Sequence, residues 1–150
     1  MKASVYHLQL NVTAATVSLP FYRSMLAYLE YRVLVDQPDL LGMSNGTTDF
    51  WLVQTGADRA DTALHRKNPG LNHVAFRVTS RADVDRFHDE LLRPAGIPVL
   101  YGGPQDYPEY RPGYYAVFFE DPDRLKLEVV HIPEPTSTRA GESREPNDRD

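Results

Sequence analysis

The 150-residue chain contains no cysteine, which excludes disulfide bonds, thiolate nucleophiles and cysteine-based zinc sites. Any bound metal would need histidine and carboxylate ligands. The formal charge is −5, and Lys and Arg are scattered among Asp and Glu, which argues against nucleic-acid binding. No stretch approaches the roughly 20 apolar residues of a membrane span, and the N-terminal MKASVYHLQLNV lacks a signal-peptide core. We therefore predict a cytoplasmic protein that binds neither nucleic acid nor membrane.

The sequence contains an internal repeat. HLQLNV at 7–12 and HVAFRV at 73–78 share one pattern at an offset of 66 residues (73 − 7), and the same offset aligns Phe21 with Phe87. Further on, DFWLVQ at 49–54 resembles LKLEVV at 125–130 at an offset about eleven residues larger. The extra residues fall in the tyrosine-rich stretch at 101–115. Self-similarity of this length indicates a duplicated module.

Each copy has the hydrophobic periodicity of a strand, a helix and three further strands. Leu8, Leu10 and Val12 alternate with polar residues, as in a strand with one buried face. In the second copy, Ser80 and Asp83 have capping-box spacing before a helical stripe of Val84, Phe87 and Leu91. The first helix is predicted near 18–29, with Phe21, Met25 and Leu29 on one stripe and Pro20 tolerated in the opening turn. Strands at 114–120 and 125–131 flank the turn DPDR.

These patterns predict an α+β fold built from two βαβββ modules. We place the first module at residues 1–55, a polar linker at 56–70 and the second module at 71–132. The remaining stretch, 133–150, has mixed charge and no large apolar residue, so we predict a disordered tail.

Strand phase predicts that three potential metal ligands share one face of the sheet, opposite the helices. Where Leu8 and its apolar partners face a helix, His7 must face the other way, and the same reasoning applies to His73 and Glu128. Two imidazoles and a carboxylate form a set that binds Fe, Mn, Zn, Ni or Co and leaves coordination positions open. A single histidine at a strand start is more often an ordinary polar residue, but the repeat favours the ligand interpretation.

Other side chains of the same phase are candidates for binding a small-molecule substrate. They are Gln9, Asn11, Arg77 and Lys126, with Trp51 and Phe118 as walls. Arg77 could clamp a substrate carboxylate or form a salt bridge at the rim. The stretch at 101–115, with five of the nine tyrosines, could bind an aromatic ligand or pack on a dimer partner. His65, His88 and His131 are not assigned to the site.

HLQLNV, FYRSMLAYL, NHVAFRV and YYAVFFEDPDRLKLEVVH together resemble the vicinal oxygen chelate superfamily, over about Tyr6 to His131. This superfamily includes glyoxalase I, fosfomycin-resistance thioltransferases, extradiol dioxygenases, methylmalonyl-CoA epimerases and bleomycin-binding proteins. The resemblance implies a mixed sheet curled into a cup with helices outside. It also implies an ion bound by His7, His73 and Glu128, which members that pair modules between subunits would assemble across a homodimer.

The sequence departs from the family pattern at two positions. Trp51 aligns with a fourth ligand of glyoxalase I and the epimerases, and an indole cannot coordinate a metal ion. Arg124 replaces the glycine of the family's usual DPDG turn, a position that accepts positive φ.

The resemblance implies a metal-dependent enzyme related to glyoxalase-like lyases and extradiol dioxygenases, in which a divalent ion polarises a bidentate oxygen substrate. The alternative is a metal-free protein that sequesters a ligand, as bleomycin-resistance proteins do. A structural or regulatory module is a third possibility, and it predicts neither a metal nor an open cup.

Overall fold

A computed structural model describes residues 1–61 and 65–134. Part of the predicted linker and most of the predicted tail therefore lie outside the described residues. In order, the elements are β1 (His7–Val12), α1 (Ala15–Tyr28), β2 (Arg32–Gln37), β3 (Leu40–Ser44), β4 (Asp49–Gln54), β5 (His73–Val78), α2 (Arg81–Phe87), a π-helical turn (His88–Leu92), β6 (Val99–Asp106), β7 (Tyr115–Glu120) and β8 (Lys126–His131). Among these, no helix is both long and apolar enough to cross a membrane.

The strands form two four-stranded mixed sheets with the same topology. Their strand orders are β1-β4-β3-β2 and β5-β8-β7-β6. In each sheet the first strand pairs parallel with the last strand of its repeat, and the remaining pairs are antiparallel. The predicted α+β class and the twice-repeated order of strand, helix and three strands are therefore confirmed.

The chain divides into two compact units. Unit 1 comprises Met1–Asn72 and Asp121–Leu125, and unit 2 comprises His73–Glu120 and the described residues from Lys126 onward. The short turn 121–125, which joins two strands of unit 2 in sequence, thus packs with the first half of the chain.

Helix α1 begins earlier than the sequence predicts. It starts at Ala15, so Pro20 lies in the second turn, and the expectation that it would fall in the opening turn is wrong. Pro20 deprives the Thr16 carbonyl of its helical partner, but Thr16 is exposed and water can serve instead. The buried face centres on Tyr22 and Leu26 rather than on Phe21, which is half-buried.

Helix α2 has the predicted capping box. Ser80 Oγ accepts from the Asp83 N–H, and the Asp83 side chain accepts from the Ser80 N–H. The helix then widens into the π-helical turn, in which the Arg93 N–H donates to the His88 carbonyl. The wider turn adds a residue to the repeat, so Leu92 is fully buried and the predicted Leu91 is half-buried.

The DPDR turn is held by the buried carboxylate of Asp121. Its Oδ1 accepts from the Asp123 and Leu125 N–H groups, and its Oδ2 accepts from the Tyr22 hydroxyl at 2.6 Å. Burial raises the pKa of Asp121, and these hydrogen bonds oppose the shift. Arg124 has φ +68°, so the turn keeps the left-handed conformation despite lacking the family's glycine.

Candidate metal-binding site

The register of unit 2 determines which side chains share a face of its sheet. Glu128 on β8 is paired with Ala75 on β5 and with Phe118 on β7. His73 is paired with Lys126 and lies two residues before Ala75. Because paired and alternate residues point to the same side, all five share one face. The strand-phase argument for His73, Lys126 and Glu128 therefore agrees with the pairing.

Glu128 is fully buried, and its two carboxylate oxygens have different surroundings. Oε1 accepts a hydrogen bond from the Tyr114 hydroxyl at 2.5 Å. Oε2 lies 3.4 Å from His73 Nε2, and within the described parts of the chain it has no hydrogen-bond partner. The His73 side chain is 28% exposed, so the pair lies between the buried sheet face and solvent.

This pair fits one edge of a divalent-ion site. A buried carboxylate oxygen without a hydrogen bond is costly, and a cation would satisfy it. Two ligand atoms that are each about 2.0–2.2 Å from one ion lie about 3 to 3.5 Å apart, which the observed 3.4 Å matches. In residues 1–61 and 65–134, however, no three His, Asp or Glu side chains are grouped so as to hold a metal. The pair is thus a partial ligand set.

An aromatic cluster packs on the same sheet face. Residues 107–114, here called the tyrosine segment, connect β6 to β7. Tyr107 is buried with Ala116, Phe118 and Val130, and Tyr110 and Tyr114 pack against this group. The Tyr107 and Phe118 rings meet edge to face with centroids 5.2 Å apart. Burial raises the pKa of Tyr107, a hydrogen bond from Gln105 opposes the shift, and the Glu128 charge adds to it.

The two predicted basic residues of this sheet have different environments. Lys126 is 2% exposed, with its Nζ 5.3 Å from the centre of the Phe118 ring. Arg77 is half exposed and donates to the Ile132 carbonyl and to Glu134 Oε1, both at 2.8 Å. The contacts of Arg77 are those of a salt bridge, one of the two predicted roles of this residue.

The remaining predicted site residues lie in unit 1, on the face of its sheet away from α1. His7 therefore belongs to a different sheet from His73 and Glu128, and the prediction that the three ligands share one sheet face is wrong. His7, Gln9 and Asn11 are exposed and alternate with the more buried Leu8, Leu10 and Val12, as expected. The ring of His7 contacts that of Tyr6 edge to face at 5.7 Å.

Trp51 lies in the centre of that face, in register with Gln9. The benzo edge of its half-buried indole covers Gly42, where an added Cβ would come within 2.5 Å of the ring. Glycine at position 42 therefore allows the indole to lie close to the sheet backbone.

The sequence did not identify Tyr114 as a residue of the site. The high tyrosine content of residues 101–115 drew attention to this stretch, but the sequence does not show which tyrosine hydroxyl reaches Glu128. That depends on the path of the tyrosine segment, whose two ends are joined by a hydrogen bond from the Tyr107 N–H to the Tyr114 carbonyl at 2.9 Å.

Comparison with known proteins agrees with this architecture. The family model of the Glyoxalase/Bleomycin resistance protein/Dioxygenase superfamily matches residues 4–129. The uncharacterised Bacillus subtilis protein YqjT is 35% identical over 128 residues, which cover 84% of this chain and 97% of YqjT. A crystal structure of a glyoxalase-like protein from Bacillus halodurans has a TM-score of 0.75 at 34% identity, covering 85% of this chain and 95% of that one. Lactoylglutathione lyase from Agrobacterium tumefaciens shares the fold, with a TM-score of 0.62 at 20% identity. The match covers 87% of this chain and 94% of that one.

Proposed function

The chain belongs to the Glyoxalase/Bleomycin resistance protein/Dioxygenase superfamily, and on that premise we propose that it is a metal-dependent enzyme acting on a small molecule with two neighbouring oxygen atoms. His73 and Glu128 hold the ion, and His7 is the third ligand. Related activities are those of glyoxalase-like lyases and extradiol dioxygenases. The observation that carries the proposal is the buried Glu128 Oε2, which has no hydrogen bond among the described residues and lies 3.4 Å from His73 Nε2.

We further propose that the protein is a homodimer in which His7 of one protomer completes the ligand set of the other. His7 is exposed at the start of β1 and is therefore accessible to a second copy. Two imidazole nitrogens and one carboxylate suit Fe, Mn, Zn, Ni or Co and leave positions open for substrate and water. A divalent ion bound there would stabilise the negative charge that develops on a substrate oxygen.

The chain's own residues would bind and orient the substrate. Phe118 and Trp51 provide apolar surface, one in each unit, and the amides of Gln9 and Asn11 can donate and accept hydrogen bonds. Lys126 lies on the sheet face that carries Glu128, and its Nζ can donate a hydrogen bond to a substrate oxygen there. Trp51 at the fourth-ligand position of glyoxalase I favours a reaction that needs only three protein ligands.

The first test is the metal content of protein purified without chelator. We expect about one divalent ion per chain in the wild type, since each chain supplies one complete ligand set. His73→Ala should lose the ion, whereas His65→Ala, a change at an exposed histidine outside the proposed set, should retain it. Stoichiometric metal in His73→Ala would contradict the proposed ligands. No metal in wild type after incubation with Fe, Mn, Zn, Ni or Co would favour the ligand-sequestering alternative.

A second arm tests the sharing of the site between protomers. His7→Ala and Glu128→Ala should each fail to bind metal alone. After the two variants are unfolded together and refolded, each mixed dimer should regain one of its two sites, because one protomer keeps His7 and the other keeps Glu128. If no metal binding returns although mixed dimers form, the ligands do not come from two chains.

A further inference from the structure

We propose that Tyr114 is a positioning residue that fixes the Glu128 carboxylate so that Oε2 alone is presented to the ion. This inference rests on the proposed metal site. Tyr114 does not touch the ion in this scheme, and it acts only through Glu128. Neither the strand periodicity nor the repeat indicates such a role, because Tyr114 lies in the segment that only the second copy contains.

The hydrogen bonds of the Glu128 carboxylate support this role for Tyr114. A carboxylate can bind a cation through one oxygen or through both. The Tyr114 hydroxyl donates to Oε1 at 2.5 Å and so engages one lone pair of that oxygen. Oε2, near His73 Nε2, has no hydrogen bond from the described residues. This pattern favours coordination through Oε2.

The packing of the tyrosine segment also supports this role, because a residue that orients a carboxylate must have a fixed position of its own. The Tyr114 ring lies edge to face with Tyr110 at 5.2 Å and with Tyr107 at 6.4 Å. Its backbone is fixed at both ends, since its N–H donates to the Arg111 carbonyl and its carbonyl accepts from the Tyr107 N–H. Gly113, with φ +78°, supplies the left-handed turn that brings the chain into this position.

Tyr115 offers a matched control. It is the next residue, and its hydroxyl donates to the Asp85 carboxylate at 2.7 Å. Tyr114→Phe and Tyr115→Phe therefore each remove one hydroxyl and one bond from a tyrosine to a carboxylate, but only the first affects Glu128. If Tyr114 serves stability alone, the two variants should bind metal equally well.

The test is a titration of metal-free wild type, Tyr114→Phe and Tyr115→Phe with Co(II) alone, followed by visible absorption, which reports the coordination number. We expect Tyr114→Phe to bind Co(II) about 10- to 100-fold more weakly, as losses of supporting hydrogen bonds at metal sites usually do. Its absorption bands should change because Glu128 can now coordinate through both oxygens. Tyr115→Phe should match wild type in both affinity and spectrum.

The Co(II) titrations distinguish an error in the role of Tyr114 from an error in the metal site itself. If wild type binds Co(II) and loses it on Glu128→Gln substitution, but Tyr114→Phe keeps the wild-type affinity and spectrum, the positioning role is wrong and the metal site stands. If wild type binds no Co(II), both fail together. Circular dichroism melting of the metal-free variants checks that each is folded, and a weakened Co(II) affinity in a folded Tyr114→Phe supports the role.

Discussion

The two sheets have the same strand order but differ in what covers the face carrying the proposed ligands. In unit 1 the inner strand β4 carries Asp49, Trp51 and Val53 on that face, and all three are half-buried. In unit 2 the equivalent strand β8 carries Lys126, Glu128 and Val130 there, and all three are buried. The tyrosine segment, which belongs to the stretch that is longer in the second copy, packs on this face of unit 2. The more deeply buried face is therefore the one on which a carboxylate is held by a tyrosine hydroxyl.

The two helices differ in which residues accept hydrogen bonds at their N-termini. Helix α2 is capped by its own neighbours, Ser80 and Asp83. The N-cap of α1 is Ala14, which cannot accept a hydrogen bond through its side chain, and Gln54 Oε1 accepts from the Ala15 N–H instead. Asp123 accepts from the Thr13 N–H and the Ser18 hydroxyl, 110 and 105 residues away in sequence. Local sequence therefore specifies the start of α2, whereas the start of α1 depends on distant residues.

Among the substitutions that test these differences, removal of the Asp121 carboxylate should lower the free energy of unfolding most. Asp121→Ala leaves the Tyr22 hydroxyl and the Asp123 and Leu125 N–H groups without their acceptor, and we expect a loss of about 3 kcal/mol of unfolding free energy. Urea unfolding followed by fluorescence of Trp51, the single tryptophan, reports on unit 1. The exposed Asp58 offers a control, and Asp58→Ala should change stability by less than about 0.5 kcal/mol. Equal effects of the two substitutions would show that the turn does not stabilise unit 1.

Substitution of Asp123 should have an intermediate effect. Asp123→Ala removes an acceptor near the α1 N-terminus, and we expect a cost of about 1 kcal/mol, typical of a lost N-terminal cap. Ser80→Ala, which removes the local cap of α2, should cost a similar amount. Urea unfolding followed by far-ultraviolet circular dichroism, which reports on the helices of both units, measures both. If Asp123→Ala is neutral while Ser80→Ala is not, Gln54 alone suffices for α1.

The pH dependence of stability should show the smallest effect, with opposite signs at two aspartates. Hydrogen bonds from Ser80, and then from Arg86, lower the pKa of Asp83 in the folded chain. Its stabilising contribution is present above the ordinary Asp pKa of about 3.9 and is lost as the pH falls through the lower folded value. Burial raises the pKa of Asp121, so its contribution is present below the ordinary value and is lost as the pH rises through the folded one.

Urea unfolding at a series of pH values checks these signs. Asp83→Asn should remove a component that weakens the wild type below about pH 3.9, whereas Asp121→Asn should remove one that weakens it just above that value. The assigned environments would be contradicted if both substitutions changed the pH dependence in the same direction.

The sequence predicted the parts of the structure that depend on local periodicity. The alternation of Leu8, Leu10 and Val12 gave the face of β1, and the spacing of Ser80 and Asp83 gave the start of α2. Contacts between residues far apart in sequence were not predictable in this way. The start of α1 depends on Gln54 and Asp123, and the burial of Leu92 depends on a change of helical geometry that no residue pattern marks.

The same limit applies to the candidate site. Strand phase could place Glu128 and His73 on one sheet face, because both lie in regular strands in which apolar residues alternate with residues of the opposite face. It could not show that Tyr114 reaches Glu128, since the tyrosine segment has no periodicity and its path depends on packing against Phe118.

Anomalous X-ray diffraction from crystals grown with Co(II) tests most directly whether Glu128 Oε2 and His73 Nε2 bind one ion. We predict an anomalous peak about 2.0–2.2 Å from both atoms, with the Tyr114 hydroxyl still donating to Glu128 Oε1. A fully occupied Co(II) peak elsewhere, with His73 and Glu128 unchanged and without an ion, would contradict it.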